Sequence, residues 1–156
     1  MTNRVWIYLS DKEISGELEK EISAEMKKFL AGWNAHGQPL TGDCQILHNR
    51  FIVIRANETQ FAASGCSIDK QVQFVKQLEQ KYALNLFDRL LVGLKKDDGV
   101  EVVHSSKISE LLSNGKINEN SLIFNTAVST EKEFNENFLI LLKNSWLNKF
   151  IQPKVI

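Results

Sequence analysis

Cys66 stands in the stretch ASGCSIDKQVQFVKQLEQKY, residues 63–82, between small residues just ahead of an amphipathic run. Backbone N–H groups from Gly65 to Asp69 would open a helix there, where the helix dipole stabilises negative charge. Helix N-termini are among the places where a cysteine can serve as a nucleophile. Asp69 acts in the opposite direction, because a neighbouring carboxylate disfavours a thiolate. A thiol nucleophile also needs a base oriented by a third group. The chain has three histidines, His36, His48 and His104. His36 would be the base, with Asp69 or Asp88 as its orienter. His36 also follows the first predicted helix, where the dipole favours a cation, and that alone accounts for it. No protease or amidase signature surrounds Cys66. A small buried cysteine, packed where glycine or alanine would fit, is the simpler reading.

Other constellations are thinner. Cys44 and His48 form a C-x-x-x-H pair, but on a predicted strand four residues span about 13 Å at roughly 3.3 Å each. One metal could not reach both, and HExxH and CxxC are absent, so no metal site is expected. Carboxylates are scattered over predicted helix surfaces as solvated faces. Trp6, Trp33 and Trp146 could line a pocket, yet each falls on an apolar face and reads as core. Asp88-Arg89 in NLFDRL reads as an ion pair or a cap beside a buried aromatic. Ser64-Gly65-Cys66 could cradle a lone sulfate or phosphate through backbone N–H groups.

The elements that position these residues follow from periodicity. RVWIYLS reads as a buried first strand. Ser10 and Glu13 form an S-x-x-E capping box, and Ile14, Leu18, Ile22, Met26, Phe29 and Trp33 follow at helical spacing, predicting a helix over 11–33. Gly37 and Pro39 end it. CQILH and RFIVIRA are strands joined at His48-Asn49, where asparagine tolerates positive φ. Residues 51–54 are apolar on both faces, which predicts a central strand covered on both sides. A second helix carries Ile68, Val72, Val75, Leu78 and Tyr82 on one face, with Ser67 as N-cap and Asp69 in its first turn. LLVGLKK and VEVVHS flank Asp97-Asp98-Gly99, a hairpin signal. KISELLSN is a short helix stopped at Gly115, and SLIFNTAVS a last strand. Thr130 and Glu133 cap a final helix through Phe134, Phe138, Leu141, Leu142 and Trp146, ending by Pro153. The order predicts one α+β domain over 1–156: a mixed or mostly antiparallel sheet with about four helices, its first half in ferredoxin-like β-α-β-β-α-β order.

Composition narrows the function. With 156 residues, 43% of them hydrophobic, the chain can bury one real core. Nineteen Lys+Arg against nineteen Asp+Glu leave no basic excess, and no aromatics interleave the pairs Lys27-Lys28 and Lys95-Lys96, so nucleic acid is not an expected partner. Asp11 interrupts the apolar run of the opening stretch, which rules out a signal-peptide h-region, and nothing approaches the roughly 20 apolar residues of a membrane span. Two cysteines are too few for a disulfide framework, and reduced thiols in the cytoplasm are the simplest reading.

Taken together, WNAHGQPL, NRFIVI, ASGCSID, NLFDRL and SLIFNTAVS resemble a family of small uncharacterised bacterial proteins, over almost the whole chain. Its members are often catalogued as "ABC transporter ATPase", so the resemblance implies a single-domain soluble protein with that label attached. The residues do not support the label. A P-loop needs G-x-x-x-x-G-K-[ST] to bring a lysine and a hydroxyl to the phosphates and Mg²⁺. After Gly32 and Gly37 come Gln38 and Pro39, and in GQPLTGDC the place is taken by Asp43 and Cys44. ASGCS shares only Ser-Gly with the LSGGQ-type signature, and without a P-loop it would bind no nucleotide. The expectation is a non-catalytic cytoplasmic protein, with no cofactor, that binds a protein partner or small ligand. The ligand would face Trp33 to Gly37 and Ser64 to Asp69, with Trp33, His36, Ser64, Gly65, Cys66 and Ser67 as binding residues.

Overall fold

In the computed structural model, which describes residues 3–35, 37–58 and 63–151, the apolar opening stretch forms strand β1 (Arg4–Leu9). Helix α1 (Gly16–Gly32) follows, then a short hairpin of β2 (Asn34–Ala35) and β3 (Gln38–Pro39), then β4 (Gly42–Leu47) and β5 (Phe51–Ala56). Next come helix α2 (Gly65–Tyr82) and the hairpin of β6 (Leu91–Lys96) and β7 (Gly99–His104). The last elements are α3 (Ile108–Ser113), β8 (Leu122–Phe124), α4 (Glu131–Asn137) and β9 (Leu139–Leu141). Short 3-10 turns occupy Ser105–Lys107, Leu142–Asn144 and Trp146–Phe150.

The fold is α+β. Its sheets have the orders β1-β5-β4, β2-β3 and β7-β6-β8-β9, and every pairing in them is antiparallel. With α1 as crossover, β5 lies between β1 and β4, the arrangement of a split β-α-β unit. The strand that would extend this sheet beside β1 in a ferredoxin-like fold, β6, pairs with β7 and β8 instead. The start of the free edge of β1 is covered from far along the chain. Val5 N–H donates to the Ser129 carbonyl and Glu131 N–H to the Asn3 carbonyl, each at 3.0 Å.

Residues Phe51 to Ile54 are fully buried, as their uninterrupted apolar run requires. One face of β5, with Ile52, Ile54 and Ala56, packs against Ile22 and Met26 of α1 and Val75 and Leu78 of α2. The other face, with Phe51 and Val53, packs on Phe124, Val128 and Phe138. A third cluster, with Val92, Leu94, Ile108, Ile123 and Leu142, fills the far side of the larger sheet. The layers are therefore helices α1 and α2, the first sheet, the larger sheet, and α3 with the C-terminal turns. Each fully buried aliphatic side chain contributes about 1.5–3 kcal/mol, so these clusters hold the layers together.

Both hairpin signals are borne out. His48 and Asn49 take φ of 54° and 58° between β4 and β5, and Asp97-Asp98 join β6 to β7 with Lys96 opposite Gly99. Other boundaries move. The helix expected over 11–33 begins at Gly16, with Ser15 as N-cap. The buried Ser10 hydroxyl instead donates to the Lys12 carbonyl at 2.7 Å, while Ser10 and Ile14 N–H donate to the Arg50 and Asn49 carbonyls. Tertiary hydrogen bonds outcompete the local capping box. The helix ends at Gly32, one residue short of the expected 33, and Gly37 sits in the β2–β3 turn. The N-cap of α2 is Ser64, not Ser67. SLIFNTAVS is a strand only over β8, after which the Asn125 side chain turns the chain by accepting Ala127 N–H. The final helix is the largest revision: Thr130 caps it as expected, but it ends at Asn137. Leu139 to Leu141 pair with β8, because an apolar run there gains more as a sheet strand than as a helix face. Trp146, expected in the core, is 46% exposed. Pro153 lies outside the described residues.

Two polar contacts bind the layers. Arg55 of β5 reaches Glu131 of α4 through Nε at 3.1 Å and Asp43 of β4 at 3.1 Å, with its guanidinium 4.9 Å from the Phe134 ring. Tyr8 of β1 donates its hydroxyl to Oε1 of the buried Gln71 on α2. Burial pushes the Tyr8 phenol up to about 12. The folded state thus favours the neutral phenol. That stability is fully present below the ordinary value of 10.0 and is lost as pH rises through about 12. Tyr8→Phe should flatten the fall in melting temperature over this window. An unchanged alkaline limb in a pH series of thermal melts would refute the assignment.

Candidate functional site

Glu25, Lys28, Phe29 and Gly32 recur at i, i+3, i+4 and i+7 on α1, so they share one face. Asp69, Gln73 and Gln77 do the same on α2, with Lys70 and Phe74 alongside. These two faces enclose an open groove of about 620 Å³ between the helices. That volume lies within the range of about 300–1,000 Å³ usual for small-molecule sites.

Its floor is aromatic. Phe29 of α1 stacks on Phe74 of α2 with centroids 4.5 Å apart and planes inclined by 12°. Trp33 leans on Phe29 at 5.1 Å, and Trp6 meets Trp33 edge-on at 6.0 Å. Trp33 is only 3% exposed. Its indole Nε1 donates to the Ser67 carbonyl at 2.8 Å, which ties the end of α1 to the first turn of α2. The walls are polar. Glu25 is committed to Lys81, at 2.9 Å and outside the groove lining. Lys28, Lys70 and Asp69 form no ion pair among the described residues.

The sequence-predicted residues divide between this groove and other places. Trp33 and Asp69 line it, and Ser67 is held to Trp33, so the two expected ligand-facing segments do meet. Ser64 and Ser67 are spent on the helix cap. The Ser64 hydroxyl accepts Ser67 N–H at 3.1 Å, and the Ser64 carbonyl accepts Ile68 N–H at 2.9 Å. These bonds take the N–H groups of Ser67 and Ile68, beside the Ser64-Gly65-Cys66 stretch expected to cradle an anion. Asp88 accepts Leu90 N–H at 2.9 Å in the turn before β6, the capping role that was its structural alternative. Of the histidines, His48 stands against the Phe124 ring at 5.2 Å, and His104 accepts Ser106 N–H at 3.1 Å. His36 lies outside the described residues, so the dyad with Cys66 has no geometry here. Among the described residues no three His, Cys, Asp or Glu side chains are placed to hold a metal ion, and no helix is long and apolar enough to cross a membrane.

Cys66 corrects the simpler reading of it: the side chain is exposed at the start of α2, not buried. Small flanking residues leave it uncovered, because the helix buries Ser67 and Gln71 on the opposite side. Cys44 is half-buried on β4, and desolvation, reinforced by the Asp43 carboxylate, pushes its thiol up to about 12 despite the nearby Arg55 cation. Iodoacetamide at neutral pH should therefore modify Cys66 and spare Cys44 in the native protein, as read by peptide mass analysis. Equal labelling of both would contradict this placement.

Phe74, Lys28, Lys70, Gln73 and Gln77 were not singled out from the sequence. Phe74 gave a usable signal: it is an aromatic lying off the Ile68-Val72-Val75 stripe, on the face that would otherwise be polar. No known family, curated protein or solved structure matches the chain.

Proposed function

We propose that the protein is a non-catalytic cytoplasmic binding protein whose ligand or partner seats in the groove between α1 and α2, and that it is not a functional ATPase. The observation that carries this reading is the Trp33–Ser67 hydrogen bond, which joins the two helix termini over a recessed aromatic floor. Such a floor with a few polar groups around it is the usual make-up of a ligand site.

The test uses a neutral aromatic probe, N-phenyl-1-naphthylamine, and a variant that fills the groove. Gly32 lines it, and a Cβ added there meets nothing within 4 Å, so Gly32→Leu starts a side chain from open space at the groove. Probe fluorescence should rise saturably with the native protein, and Gly32→Leu should weaken binding about tenfold, or 1.4 kcal/mol, with the thermal melt intact. Equal binding by both proteins would refute the site. Calorimetry with Mg-ATP should give no saturable heat at micromolar to low-millimolar ligand, since neither glycine pair is followed by the lysine and hydroxyl that hold phosphate and Mg²⁺. Stoichiometric, Mg²⁺-dependent binding would restore the ATPase reading.

A further inference from the structure

The charges on the groove walls do not cancel. Glu25 is neutralised by Lys81, which leaves Lys28 on α1 and Lys70 on α2 facing Asp69 alone. The uncommitted charge is two cations against one carboxylate, supplied from both walls. Both lysines are exposed, so their alkyl stems can lie along the apolar floor while the ammonium groups stay at the rim. The floor itself is recessed, since Phe29 and Phe74 are half-buried and Trp33 almost wholly so. A protein partner would be anchored by protruding apolar side chains, and among the described residues the exposed large ones are Leu90, Leu122 and Trp146, none of which lines the groove. The occupant must be small enough to reach the rings.

Resting on the groove reading above, we propose that the ligand is an amphiphilic monoanion: a small molecule with a flat apolar body and one carboxylate or sulfonate head. The body lies on the Phe29–Trp33–Phe74 floor, out of water, where burial of apolar area supplies most of the affinity. The head sits at the rim within reach of Lys28 and Lys70, and the Gln73 and Gln77 amides offer neutral hydrogen bonds beside it. Asp69 sets the limit on charge: a dianion would meet that carboxylate with no third cation to offset it.

The experiment compares two probes that share one aromatic body. 1-Anilinonaphthalene-8-sulfonate carries the anionic head, and N-phenyl-1-naphthylamine lacks it. The anionic probe should bind about tenfold more tightly to the native chain, and added salt should weaken it while sparing the neutral one. The double variant Lys28→Gln/Lys70→Gln should bring the ratio of anionic-probe to neutral-probe affinity from about ten to about one and abolish the salt dependence of the anionic probe. Both lysines are exposed, so a melt within a few degrees of the native one will show that the fold is kept. Equal affinities for the two probes, or no effect of the double variant, would overturn the anion assignment and leave the groove standing. If Gly32→Leu displaces neither probe, the groove reading falls with it.

Discussion

Gly42→Ala is expected to destabilise the protein by about 3 kcal/mol or more, lowering the melting temperature by roughly 10 °C for a chain of this size. A Cβ at Gly42 would overlap the backbone carbonyl oxygen of Arg55 and stand 3.1 Å from Cζ3 of Trp33. A flexible side chain can swing aside, but a carbonyl inside a paired strand cannot. Gly42 is opposite Ala56 at the end of the β4–β5 ladder, so relief requires the strands to part there. The indole that would be pushed is the one holding α1 to α2. Gly32→Ala is the control, because its Cβ meets nothing within 4 Å. It should be neutral or stabilising by up to about 1 kcal/mol, since glycine is a poor helix former. A Gly42→Ala melt within 2 °C of the native protein, by about the same scale, would show that the close approach is not needed.

Phe51→Ala should cost about 3–5 kcal/mol, read as a lowered urea midpoint with little change in slope. The side chain is fully buried, and its ring lies 4.9 Å from Phe124 and 5.2 Å from Phe138. It fills the seam between the two sheets, so its loss opens a cavity that neither sheet can close alone. Gly93 is the matching feature on β6. A Cβ there would meet Phe51 Cζ at 3.1 Å, so the ring uses the space that glycine vacates. Phe51→Leu removes that Cζ atom, and Gly93→Ala should then be tolerated better than in the native background. Strict additivity of the two changes would contradict a shared contact.

Local chemistry made part of this fold legible. His48-Asn49 and Asp97-Asp98-Gly99 encode their turns through residues that accept the backbone geometry, and the unbroken apolar run of β5 encodes a strand with no solvent face. Ser10-x-x-Glu13 was misleading because the partners of Ser10 and Ile14, Arg50 and Asn49, lie about 35 or more residues away and leave no trace nearby. Phe138, Leu141 and Leu142 satisfied helical spacing as well as they satisfy a strand and a buried turn, and only the position of β8 decides between them. The groove was half legible. Its two segments could be named because both adjoin helix termini, but the Trp33–Ser67 contact spans 34 residues. The charged wall depends on which faces α1 and α2 turn away from the sheet.

The N-terminal end of the β1 edge is closed by Ser129 to Glu131, and Arg55 grips the same Glu131. During synthesis, the first sheet is therefore unfinished until nearly the whole described chain has left the ribosome. Until then β1 presents bare N–H and C=O groups, a template onto which another nascent strand can add. Translation speed and chaperone cover over the stretch after β5 should thus govern the yield of native protein more than the stability of the finished fold does.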